Sequence, residues 1–102
     1  MGQALPIGRA VRLSEETLNV LLGDEYDHAL IARTWSLLTT LGGRRIDALG
    51  FVAGSQEVSI QIWDLDGVSL RFEAETYMGF SVEGPARVVT DLAARLKPDP
   101  AP

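Results

Sequence analysis

A chain of 102 residues, 46% hydrophobic and 23% charged, is sized for one globular domain that buries roughly 65% of the surface its unfolded form exposes. It contains no cysteine, which excludes disulfides, Cys-ligated zinc, iron–sulfur clusters and thiol chemistry. A net charge of −5 opposes nucleic-acid phosphates and anionic lipid, so both are disfavoured as partners.

The first residues offer no export pattern, because Pro6, Gly8, Arg9 and Arg12 break the apolar run that a secretory signal needs. The uncharged stretch Thr34 to Gly43 is far shorter than a bilayer span, and a soluble, cytoplasmic protein is expected. Acidity belongs to the second half, where Glu57, Asp64, Asp66, Glu73, Glu75, Glu83, Asp91 and Asp99 face only Arg71, Arg87, Arg95 and Lys97. Gathered on one surface, these acids would favour a basic partner; spread out, they form a solvated face.

In chain order, Leu5, Ile7, Val11 and Leu13 alternate imperfectly and read as an irregular extended lead-in. Ser14, Glu15 and Glu16 suit the start of a short helical turn through Leu22 closed by Gly23, while Thr17, Leu18, Val20 and Leu21 equally suit a strand. Asp24 is a good N-cap, Glu25 and Asp27 favour a helix N-terminus, and Gly42-Gly43 is a stop signal. A helix over about Glu25 to Leu41 follows, with Tyr26, Leu30, Leu37 and Leu41 on one line and Ile31, Trp35 and Leu38 widening the stripe.

From Arg45 the period changes to two. Ile46 to Ala53 reads as a strand, Gly54-Ser55 as a turn and Glu57 to Asp64 as a second strand. In that strand Val58, Ile60 and Ile62 are expected inward and Ser59, Gln61 and Trp63 outward. Asp66-Gly67 is a preferred tight-hairpin dipeptide, and Val68, Leu70, Phe72 and Ala74 then alternate with Ser69, Arg71, Glu73 and Glu75. Gly79 to Glu83 makes a short fourth strand with Phe80 and Val82 inward. Gly84-Pro85 opens a last helix to about Leu96, with Val88, Val89, Leu92 and Leu96 inward. One domain over residues 1–96 and a flexible tail over 97–102 complete the reading.

This order predicts an α+β two-layer sandwich, an antiparallel meander of about four strands packed against two helices. The uncovered face would carry Gln61, Trp63, Arg71, Glu73, Glu75 and Glu83, unless the N-terminal segment folds across Trp63. A large aromatic among polar neighbours is the usual composition of an interface.

Motifs for chemistry are incomplete. Gly79-Phe80-Ser81-Val82-Glu83 lacks the second glycine of a nucleophile elbow, and His28, the one histidine, sits beside a helix cap. Asp64, Asp66 and Glu75 match three acidic positions of a calcium loop, yet Val68 and Ser69 stand where that loop needs an oxygen ligand and a glycine, so a hairpin is preferred. Asp24, Glu25, Asp27 and His28 are read as cap and dipole residues rather than metal ligands, and no cofactor is implied. Glu73 and Glu75, roughly 7 Å apart on a strand, have the spacing of paired catalytic carboxylates but no visible sugar cleft. Phosphate-cradling patterns are absent, and Arg44-Arg45 reads as a basic turn.

The order helix, meander, helix with an acidic balance is similar, in size, charge and class alone, to small bacterial accessory and toxin-immunity proteins. The expected function is non-enzymatic. A protein partner, basic in the immunity-like variant, or a second copy would bind the open face through Trp63, with Gln61, Arg71, Glu73, Glu75 and Glu83 around it. The alternative is a small enzyme or ligand-binding protein whose pocket lies between the long helix and the sheet and uses His28, Tyr77, Glu73 or Glu75. A homodimer through edge-strand or sheet-face pairing is the third reading.

Overall fold

The structure is a computed structural model that describes residues 16–97. The expected lead-in over Leu5 to Leu13, with Ser14 and Glu15, and the tail beyond Lys97 lie outside the described residues. Strand β1 (Thr17–Gly23) is followed by helix α1 (His28–Thr40), strands β2 (Arg44–Ala53), β3 (Gln56–Leu65), β4 (Val68–Glu75) and β5 (Gly79–Pro85), and helix α2 (Ala86–Leu96). The fold is α+β. Its one open antiparallel sheet has five strands in the order β1-β5-β4-β3-β2, one more than expected, because the ambiguous segment after Glu16 pairs with β5 instead of coiling. No helix among the described residues is long and apolar enough to cross a membrane.

Helix α1 starts three residues later than expected, for a local reason. The Asp24 carboxylate accepts the Tyr26 N–H at 2.7 Å and so closes a turn of its own. Asp27 instead accepts the Leu30 N–H at 3.0 Å, which makes it the N-cap. At the other end Gly42, at φ +89°, lets the Gly43 N–H reach back to the Leu38 carbonyl at 2.7 Å, a Schellman stop. Arg44 and Arg45, expected in a turn, already belong to β2. The buried line of α1 is Leu30, Thr34 and Leu38. Thr34 is admitted because its hydroxyl donates to the Leu30 carbonyl at 2.8 Å, so no polar group is stranded. Tyr26 and Leu41, placed on the inward line from sequence, are exposed.

Both helices pack on one face of the sheet. Leu30 and Leu38 of α1 and Val89, Leu92 and Leu96 of α2 meet Trp63, Leu70, Phe72, Phe80 and Val82 in one core. Trp35 is its hinge point: it stacks on Trp63 at 5.5 Å and meets Phe72 and Phe80 edge-on at 5.1 and 5.8 Å. Arg33 ties the helices together by donating to the Leu96 carbonyl at 2.9 Å, where the last turn of α2 lacks partners.

Trp63 therefore lies on the covered face, only 6% exposed, and not on the open one. The cause is hairpin geometry. Asp66 and Gly67 both adopt positive φ, 54° and 83°, as a two-residue type I′ turn requires. Such a turn puts residues equidistant from it on the same face: Leu65 pairs with Val68, Trp63 with Leu70 and Gln61 with Phe72. With Leu70 and Phe72 inward, Trp63 and Gln61 must be inward too, and Val58, Ile60 and Ile62 turn outward.

Candidate functional site

The open face is built from alternate residues of all five strands. Registered pairs place Asn19 and Leu21 of β1, Ser81 and Glu83 of β5, Arg71, Glu73 and Glu75 of β4, Val58, Ile60 and Ile62 of β3 and Leu49 and Phe51 of β2 on it. Both described helices occupy the opposite side. The face divides in two. Strands β4 and β5 contribute charge, while β3 and β2 contribute hydrocarbon, with Leu49 56% and Phe51 45% exposed.

The charged half is a connected row. The Arg71 guanidinium contacts the Glu73 carboxylate at 2.8 Å along its own strand and lies 3.9 Å from Glu83 across the ladder. Glu75 follows Glu73 on the same side. A hydrogen bond that the protonated Glu75 carboxyl donates to Glu73, partial desolvation and the Glu73 charge hold the Glu75 carboxyl above the usual glutamate range. Three carboxylates against one guanidinium leave the row acidic.

Of the six residues expected to form a binding face, Arg71, Glu73, Glu75 and Glu83 share the open side. Trp63 and Gln61 do not: they sit on the helix side, joined by a hydrogen bond from Trp63 Nε1 to Gln61 Oε1 at 2.9 Å. Leu49, Phe51, Ile60 and Ile62 were missed. The signal that locates them is the Asp66-Gly67 turn, which couples the apolar side of β3 to the charged side of β4.

On the helix side, a groove of about 470 Å³ separates the start of α1 from the far end of β2 and β3. Tyr26, His28, Val52, Glu57, Ser59 and Thr76 are among its walls. Thr76 anchors one wall, its hydroxyl accepting the Glu57 N–H at 2.9 Å. Of the four residues expected in a pocket between helix and sheet, only His28 lines this groove. Glu73 and Glu75 point from the opposite face, and Tyr77 is 81% exposed on the β4–β5 turn. There Tyr77 takes a left-handed φ of 70° and gives its N–H to the Glu25 carboxylate at 2.8 Å, the main reason the Glu25 carboxyl is held below the usual range. Among the described residues no three His, Asp or Glu side chains converge as a metal site, and Asp64, Asp66 and Glu75 belong to the β3–β4 hairpin.

Compared with known protein families, curated proteins and solved structures, the chain matches none of them.

Proposed function

We propose that this chain is a cytoplasmic, non-enzymatic interaction module that docks a basic protein on its open sheet face. The observation that carries the reading is the inverted β3: its half-buried Ile60 and Ile62, with the buried Val58 beside them, share the side of Arg71, Glu73 and Glu75 instead of facing the helices. A sheet face with hydrocarbon beside a row of carboxylates offers a partner both desolvation and charge complementarity. Ile60 and Ile62, flanked by Leu49 and Phe51, take the anchoring role that Trp63 would have had on an open face. Glu73, Glu75 and Glu83 set orientation and association rate, most strongly at low salt.

The test is capture from host lysate at low and high salt, run in parallel with wild type and with Ile62→Glu and Glu73→Arg/Glu83→Arg. A stoichiometric basic protein held by wild type, released by salt and lost from both variants is the expected result. A partner retained by both variants, or no partner at all, removes the reading. The groove beside His28 favours a second reading, a small-ligand binding protein. A ligand screen in which melting shifts disappear with His28→Ala would replace the first proposal with this one.

A further inference from the structure

The two edges of the sheet differ. Strand β1 has seven residues, and a bulge between Leu21 and Gly23 breaks its ladder. Strand β2 has ten, pairs among the described residues only with β3, and is exposed at every residue, with Ile46 at 62% and Val52 at 67%. Its single bulge lies between Arg45 and Asp47, so the run from Asp47 to Ala53 is a regular, proline-free, apolar edge. Unpaired edges of this kind are templates for another strand.

The backbone direction along this edge is readable. The Ala48 N–H is donated to the carboxylate of its own neighbour Asp47 at 2.9 Å, so it points away from β3. Alternation then turns the N–H and C=O groups of Gly50 and Val52 outward as well. An antiparallel partner must set outward residues opposite one another, and a two-fold axis through Gly50 does so: Gly50 faces Gly50 of the second copy and Ala48 faces its Val52. Leu49 and Phe51, both exposed on the open face, then become cross-strand neighbours, and Asp47 meets Ala53. Arg44 and Arg45 fall beyond the paired segment, so no like charges meet. Sliding the partner two residues one way sets the Asp47 carboxylate against Phe51 and brings the bulge before Asp47 opposite Val52, while sliding the other way carries Ala48 against Gly54 in the turn.

We infer that two copies of this chain pair through their β2 edges about this axis, forming one continuous ten-stranded sheet. The β2 edge of each copy is consumed, so pairing through it closes at two. About six ladder hydrogen bonds over a short contact, smaller than roughly 1,200 Å², make a dimer of micromolar strength. Asp47, which must release the Ala48 N–H, moderates it. This pairing does not depend on the charged row of β4 and β5.

Sedimentation equilibrium of the full chain over about 1–300 µM tests it. The expected mass rises with concentration from 11.1 kDa to twice that value and no further. Leu49→Lys weakens the dimer at least about tenfold, and Asp47→Ala tightens it several-fold. Because the chain has no cysteine, Gly50→Cys adds a single thiol. A Cβ there meets only the Val58 carbonyl oxygen at 3.8 Å, so the residue fits. Opposed on the axis about 5.5 Å apart, two such residues form an intermolecular disulfide on mild oxidation, whereas Ser55→Cys on the turn does not. A monomer at every concentration, growth beyond a dimer, equal cross-linking from Ser55→Cys, or a dimer indifferent to Leu49→Lys each overturns the proposal.

Discussion

Trp63 is a core residue whose ring is stacked on Trp35 and whose indole N–H is satisfied by Gln61. Truncation to alanine removes both and leaves a cavity under α1, at a cost of about 3–5 kcal/mol. Trp63→Phe keeps most of the packing, loses the hydrogen bond, and costs about 1–2 kcal/mol. Urea denaturation of the two variants should show this order, and equal midpoints would place Trp63 outside the core. Two glutamates shift stability with pH in opposite directions. The Glu25 carboxyl, lowered by the Tyr77 N–H, contributes stability above the usual value of 4.5 that is lost as pH falls through its lowered value. Glu25→Gln is therefore destabilising at pH 7 and neutral near about pH 2. Glu75 is raised, so the folded chain holds its proton more tightly and the Glu73–Glu75 conflict appears as pH climbs above the ordinary range. Glu75→Gln is expected to stabilise at pH 7, with the gain gone near about pH 3; melting curves across this range check both signs.

The turns decide how the elements meet. Gly79 closes the β4–β5 hairpin at φ +92°, and a Cβ there would stand 2.9 Å from the Gly23 carbonyl oxygen of β1. That oxygen is backbone and has little freedom to yield. Gly42 has a similar φ of +89° with nothing within 4 Å. Gly42→Ala thus reports the conformational penalty alone, about 1 kcal/mol, and Gly79→Ala adds the steric one, for about 2–3 kcal/mol in total. Equal losses in urea titrations would mean that the β1–β5 contact adjusts freely. The Asp66-Gly67 turn acts on a larger scale, because its register couples each side chain from Val58 to Leu65 to one of β4. Taken alone, the alternation in β3 names two sets of residues, and hydrophobicity favours Val58, Ile60 and Ile62 for burial. Paired with β4, that choice would bring their neighbours Arg71, Glu73 and Glu75 to the core side. Burying that row costs far more than turning three aliphatic side chains away from the helices, where Val58 is still buried and Ile60 and Ile62 are half-buried, so the other set, with its tryptophan, goes inside.

At the scale of the molecule, both described helices cover one side of the sheet; on the other side most residues of β3, β4 and β5 are half-buried or, at Val58, buried, and β2 is exposed along its length. The partner face and the dimer edge proposed here meet at Leu49 and Phe51. Self-pairing would then extend the apolar half of the open face across two copies while leaving the acidic rows at its outer ends. Much of this plan follows from the sequence itself. The α+β class, the long helix with its Gly42-Gly43 stop, the meander turns and the apolar line of the last helix are encoded by local periodicity, capping and φ preferences, which act over a few residues. The acidic set on β4 and β5 was legible for the same reason. Tertiary structure decided what local preference leaves degenerate: that Thr17–Gly23 is a strand, since its ladder partner is the distant β5, and which side of β3 is buried. It also decided that β2 is an edge, because strand order depends on where β1 closes the sheet. Those choices rest on long-range pairing and on the cost of burying charge, and it is they that place Trp63 in the core and Ile60 and Ile62 on the surface a partner would meet.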